Sequence, residues 1–95
     1  MISLNDFLDL CKVRTKSESD SNLARKVDIT RAALSAYRKG ASFPSDANMV
    51  KLAKRAKLDI GECLLLLNIW RADDVSVKTY HSLFKVNYPN SDFRS

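Results

Sequence analysis

Residues 23–44 carry the pattern that most restricts the fold of this chain. Two short segments there have small and apolar residues at helical spacing, and only a few residues separate them. The sequence therefore predicts two short helices joined by a tight turn. Thr30 is suited to cap the second helix, Gly40 can supply its left-handed stop, and Pro44 follows that stop. The positions expected to face inward are Leu23, Ala24 and Val27 in the first helix and Ala33, Leu34 and Tyr37 in the second.

Two further segments have helical spacing. Leu4, Phe7, Leu8 and Cys11 repeat at i, i+3, i+4 and i+7, as do Met49, Leu52, Ala53 and Ala56. Polar residues that can cap these and the central helices are Ser3 or Asn5, Ser19, Ser45 or Asp46, and Asp59. The 95 residues therefore predict an all-α fold, a compact five-helix domain over residues 1–72. A short C-terminal extension, residues 73–95, follows it. Its spacing favours a short helix that could aid dimerisation, while residues 75–79 also suit an edge strand.

The fifth predicted helix, residues 60–72, is apolar on nearly all sides. A domain of this size has too little interior to bury such a helix completely, so the helix needs cover from elsewhere. Two alternatives remain open. It is the seam between two copies of the chain, for which the candidates are Leu64, Leu67 and Trp70, or it belongs to a core that the tail closes.

Positive charge is concentrated in one part of the chain. Residues 12–57 hold 12 basic and four acidic side chains, a net charge of +8, while the remainder has a net charge of −3. A basic segment of this density attracts a phosphate backbone, although a solvated basic surface would have the same composition. The charge distribution alone does not separate these interpretations.

The composition disfavours several classes of function. One His, two separated Cys and no glycine-rich phosphate loop leave no credible pair of nucleophile and base, so we expect neither an enzyme nor a metal or cofactor site. Cys11 and Cys63 are expected to be buried thiols. No apolar run reaches the roughly 18 residues that cross a bilayer, and the start lacks a basic leader region. We therefore expect a soluble, cytoplasmic protein.

The spacing over residues 23–44 is the basis of a resemblance. Leu23-Ala24, Val27-x-Ile29, Leu34-Ser35, Gly40 and Pro44, followed by Leu52-Ala53, resemble the Cro/repressor family of helix-turn-helix proteins of phage and bacterial regulators. The resemblance covers residues 4–67 and implies a repressor-like fold whose second central helix lies in the major groove of DNA. The chain departs from the family at Asp28, where Gly is usual, at Arg38, where an acid is usual, and in an apparently longer loop over residues 13–22.

The resemblance also implies roles for particular side chains. The expected base-reading residues are Arg31, which suits guanine, Ala32, which suits a thymine methyl group, Ser35 and Arg38. The expected phosphate contacts are Thr30, Lys39, Ser42 and Lys54. The expected function is that of a sequence-specific regulator of transcription, a repressor that binds double-stranded DNA as a homodimer at a palindromic operator. The alternative is a protein-interaction module, antitoxin-like or accessory, that uses the Leu-rich fifth helix.

Overall fold

The computed structural model describes residues 1–94, and its regular elements over that range are all helical. The expectation of an all-α fold is confirmed, but the count of five helices is too low because the C-terminal extension forms a sixth. The helices are α1 (Leu4–Thr15), α2 (Asp20–Val27), α3 (Arg31–Arg38), α4 (Asp46–Ala56), α5 (Ile60–Arg71) and α6 (Val77–Asn87), and a 3-10 turn spans Asp92–Arg94.

The first five helices begin at polar residues that the sequence predicts as caps. In each case the side-chain oxygen accepts a hydrogen bond of 2.8–3.1 Å from the backbone N–H three residues later. Because α1 extends to Thr15 and α2 begins at Asp20, the connection between them is limited to residues 16–19. The loop expected over residues 13–22 is therefore shorter than predicted. The five caps are Ser3, Ser19, Thr30, Ser45 and Asp59.

A single core joins the amino-terminal helices to the C-terminal extension. α4 packs against α1, α2 and α5, and α6 packs against α5. Phe84 of α6 and Phe93 of the 3-10 turn are buried in the same cluster as Phe7 of α1. The rings of Phe7 and Phe93 meet edge to face with their centroids 5.8 Å apart. The extension is thus an integral part of the core.

Other helices of the same chain bury the apolar surface of α5. Leu67 has 0% exposure, so the prediction that it lies at a dimer seam is wrong. The physical reason is that α4 and α6 both pack against this helix. Leu64 is half-buried, and so is Trp70, whose Nε1 donates a hydrogen bond of 2.9 Å to the carbonyl oxygen of Ile2. A contact of these two residues with a second copy stays a prediction.

Side chains from neighbouring helices close the carboxyl ends of four helices. Lys26 of α2 donates to the carbonyl oxygens of Thr15 and Lys16 at the end of α1, at 2.8 and 2.9 Å. A cation at this end of a helix also interacts favourably with the helix dipole. The other three cross-helix caps are Arg14 of α1 on Ala56 and Lys57 at the end of α4, Lys51 of α4 on Asp28 at the end of α2, and Asn5 of α1 on Arg38 at the end of α3.

Cys11 and Cys63 are free and buried, as the sequence predicts. Burial raises the pKa of each thiol to about 12, so both are protonated at neutral pH. Within residues 1–94, no helix is long and apolar enough to cross a membrane. In the same part of the chain, no group of three or more His, Cys, Asp or Glu side chains is arranged to hold a metal ion.

Candidate nucleic-acid interface

The turn between α2 and α3 is short and well defined. Asp28 follows α2 in the left-handed conformation, with φ 60° and ψ 51°, a position that favours glycine. Its backbone N–H and that of Ile29 bond to carbonyl oxygens at the end of α2, and the Ile29 side chain is buried. Thr30 then caps α3 at once. This turn therefore fixes the direction in which α3 leaves α2.

The inner face of α3 anchors it to the rest of the protein. Leu34 and Tyr37 are almost fully buried, at 1% and 4% exposure. The Tyr37 hydroxyl oxygen accepts a hydrogen bond of 2.9 Å from Nδ2 of Asn48 in α4. Tyr37 is thus the core anchor that the sequence predicts, and its ring is not available to stack on a base.

The outer face of α3 brings together four of the predicted DNA-contact residues. Arg31, Ala32, Ser35 and Lys39 are all exposed. They line one wall of an open cleft of about 510 Å³, and Asp20 and Ser21 of α2 line the other. Within residues 1–94, the guanidinium of Arg31 makes no hydrogen bond or ion pair, so its donors are available to a ligand.

A second cleft, of about 340 Å³, lies on the other side of Arg31. Ser21, Asn22 and Arg25 of α2 line it together with Ile29. Ser21 borders both clefts, although sequence reasoning did not select it. The signal that could have found it is its place in the first turn of α2, two residues after the cap Ser19, where free backbone N–H groups favour anions.

Arg38 also lines the larger cleft, but its guanidinium is paired with acidic side chains, unlike that of Arg31. Base reading by Arg38 stays a prediction. The Arg38 side chain is only 21% exposed and turns toward α1 and α2. Nε and Nη2 donate to the two carboxylate oxygens of Asp20, both at 3.0 Å, and Nη2 lies 2.8 Å from the carboxylate of Asp9. Nη1 donates to the backbone oxygen of Asn5 at 3.0 Å. With these partners, Arg38 joins α3 to both preceding helices.

The same contacts set the charge of the larger cleft. Asp20 lines this cleft, and an unpaired carboxylate there would repel phosphate. The hydrogen bonds from Arg38 lower the pKa of Asp20, and Lys12 lies 3.6 Å from the same carboxylate. Asp20 is thus ionised but compensated by two cations. The positive charges of Arg31 and Lys39 are therefore not cancelled by an unpaired acid across the cleft.

The predicted phosphate contacts fall into two places. Thr30, Lys39 and Ser42 are exposed at the two ends of α3. The Thr30 oxygen accepts the capping hydrogen bond from Ala33, which leaves its hydroxyl hydrogen free to be donated. Lys54 is exposed on α4 and lines neither cleft, so the structure does not bring it together with the others.

The basic segment thus contains two kinds of cation. Some are held by carboxylates or by helix carbonyl oxygens, and others make no such contact within residues 1–94. The held cations are Lys12, Arg14, Lys26, Arg38 and Lys51, and the free ones are Lys16, Arg31, Lys39, Lys54, Arg55 and Lys57. The twelfth, Arg25, donates to the side-chain oxygen of Asn22. Only the free cations have all of their hydrogen-bond donors available to a partner.

Comparison of the chain with protein-family models, with curated proteins and with solved structures gave no match.

Proposed function

We propose that this protein is a sequence-specific DNA-binding regulator of transcription, a repressor that binds a palindromic operator as a homodimer. The observation that carries the proposal is the exposed face of α3, with Arg31, Ala32, Ser35 and Lys39, held directly after a tight turn. An exposed helix that follows another helix in this way suits the major groove of DNA. The resemblance of residues 4–67 to the Cro/repressor family supports the same function.

Base reading is assigned to the amino-terminal part of α3. Arg31 is the first residue of this helix and has a free guanidinium, which can donate two hydrogen bonds to O6 and N7 of guanine. Ala32 can contact a thymine methyl group, and Ser35 lies one turn further along the same exposed face. Arg38 is proposed to act through its contacts with Asp9 and Asp20, which hold α3 in place.

Phosphate binding is assigned to residues around this face. Thr30, Lys39 and Ser42 lie at the ends of α3, and Ser21 borders both clefts from α2. Contacts of this kind fix the register of a protein on DNA without reading its sequence. Lys54 is proposed to contact a more distant phosphate. A regulator of this type would act in the cytoplasm.

The alternative, a protein-interaction module that uses α5, has less support. It needs the Leu-rich surface of α5 to be available, but Leu67 is fully buried and α6 packs against this helix. The exposed α3 face has no comparable cover within residues 1–94.

Selection from a library of random DNA duplexes at near-physiological salt tests the proposal. The wild-type protein should retain a palindrome with half-sites about 34–36 Å apart, one helical turn. Arg31→Ala should bind this sequence about tenfold more weakly and lose the preference at one symmetry-related base pair in each half-site, because the bidentate contact is gone. Arg94→Ala is the control of equal charge change, since Arg94 is exposed, lines neither cleft and donates only to the carbonyl oxygen of Pro89, and this variant should select the same palindrome.

Two outcomes would contradict the proposal. If the wild-type protein retained only a random pool, it would not be a sequence-specific regulator. If Arg31→Ala selected the wild-type palindrome with the wild-type affinity, the assignment of base reading to Arg31 would be wrong.

A further inference from the structure

α6 exposes a stripe of two valines and two small polar residues on the side turned away from α5. Val75, in the turn that leads into this helix, is 90% exposed, and Val86 is 78% exposed. Thr79 and Ser82 lie between them and are also exposed, and the intervals of four, three and four residues place all four on one side of the helix. Phe84, which is fully buried, lies on the opposite side. The exposed stripe is therefore distinct from the surface that α6 contributes to the core.

We propose that this stripe is the seam of a homodimer in which α6 pairs with α6 of a second copy in antiparallel orientation. The inference rests on the proposed function for its biological role, because a palindromic operator is matched by a two-fold symmetric protein. The seam itself is inferred from the residues of the segment 73–88 alone.

Charge complementarity selects the second copy and the antiparallel orientation. Asp74, Lys78 and Lys85 lie along one flank of the stripe, and none of the three has a hydrogen bond or ion pair within residues 1–94. In an antiparallel pair related by a two-fold axis, equivalent flanks of the two helices meet. Asp74 of each copy then lies beside Lys85 of the other, so the symmetric pair forms two such contacts. In a parallel pair this flank would meet the flank with Leu83 and Asn87, and the charges would have no partner.

The apolar and small residues fit the same arrangement. When Asp74 lies beside Lys85 of the second copy, Val75 at one end of the stripe packs against Val86 of the second copy at the other. The small side chains of Thr79 and Ser82 lie at the centre, where the helices must approach most closely. Lys78 lies near the two-fold axis and beside its own equivalent, which opposes association slightly.

The seam spans about three helical turns, so the surface area that it buries is smaller than the roughly 1,200 Å² that stable dimers bury. The expected dimer is therefore weak in the absence of DNA and depends on protein and salt concentration. Binding of both copies to adjacent half-sites would compensate for this weakness, because the second copy then binds at a high effective concentration.

Sedimentation equilibrium of the full chain at low salt, without DNA, tests the seam. Asp74→Lys and Lys85→Asp should each lower the association constant about fivefold or more, and the double variant should restore it. Positions 74 and 85 are about three turns apart within one copy, so such a rescue must act between copies. Arg55→Asp, at an exposed and unpaired arginine of α4, is the control of equal charge change and should have no effect. Lys78→Ala should strengthen association, and Val86→Ser should weaken it without unfolding the protein because Val86 is exposed.

Three results would overturn this seam. They are a wild-type protein that remains monomeric at about 1 mM, a double charge variant no better associated than the single ones, and a dimer that responds to Phe43→Ser but not to the α6 variants. Phe43 is an exposed ring outside α6, stacked on Trp70, and marks a different surface.

Binding to duplexes that carry one half-site distinguishes a failure of this seam from a failure of the proposed function. The α6 variants should bind a single half-site as the wild type does, and a protein that dimerises through α6 but selects no DNA would overturn the proposed function alone.

Discussion

α3 and α5 were both expected to present residues to a partner, and the two helices differ in how far other residues of the chain cover them. α3 packs through Leu34 and Tyr37 against neighbours on one side, and its other side is exposed. α5 is enclosed by α4 and α6, and Leu67 is fully buried. The sequence of an amphipathic helix identifies its free face, because polar residues occupy that face. A helix that is apolar on all sides indicates only that other residues bury it. For α5, these residues include α6, which follows it in the same chain.

The largest expected effect tests the burial of α5. Leu67→Ala should lower the free energy of unfolding by about 3 kcal/mol, because a cavity forms where the side chain fills the core. Leu64→Ala, at a half-buried position on the same helix, should cost clearly less. Chemical denaturation of both variants measures the difference. If Leu67→Ala changed the association of the protein and left its stability unaltered, α5 would be a seam after all.

The next effect compares the two ends of α3. Arg38→Met should lower the free energy of unfolding by about 1 kcal/mol, since Asp9 loses its cation and Asp20 keeps only Lys12, while both carboxylates remain partly exposed to water. Arg31→Met should leave stability within about 0.5 kcal/mol of the wild type, because its side chain has no partner within residues 1–94. Thermal and denaturant unfolding of the two variants provide the measurement. An Arg38→Met protein that is as stable as the wild type but unable to bind DNA would support base reading by Arg38 itself.

The smallest expected effect is the pH dependence of the same contact. The hydrogen bonds from Arg38 lower the pKa of Asp20 in the folded protein below its ordinary value of 3.8. Between these two pKa values the unfolded chain binds more protons, so the contribution of Asp20 is complete above about pH 4 and is lost as the pH falls through the folded pKa. The stability difference between the wild type and Arg38→Met should therefore shrink below about pH 4. A difference that stays constant down to pH 2 would show that the Asp20 contact contributes little.

Features that depend on neighbours in the chain could be predicted. Ser19, Thr30 and Asp59 cap helices as expected, because a capping side chain acts on a backbone N–H only three residues away. The left-handed conformation of Asp28 and the left-handed stop at Gly40, with φ 73°, follow from equally local rules. These features were sufficient to define α2, the turn and α3, and so to select the exposed residues of the candidate site.

Features that depend on distant partners could not be predicted. The pattern of α3 does not show that Arg38 turns toward Asp9 and Asp20, because those acids belong to other helices. Likewise, the net charge of residues 12–57 counts Arg14 and Lys26 as available to DNA, although both bind helix carbonyl oxygens. Ser21 was missed for a related reason, since only the packing of α2 on α3 places it beside Arg31.

Three of the cross-helix caps form a closed ring, and the ring makes the unfolding of these helices interdependent. α2 closes the end of α1 through Lys26, α1 closes the end of α4 through Arg14, and α4 closes the end of α2 through Lys51. When any one of these helices frays, carbonyl groups in the next lose their donor, so the loss is passed around the ring. Asn5 extends this coupling to α3. The surface proposed to face DNA is therefore carried by helices whose carboxyl ends stabilise one another.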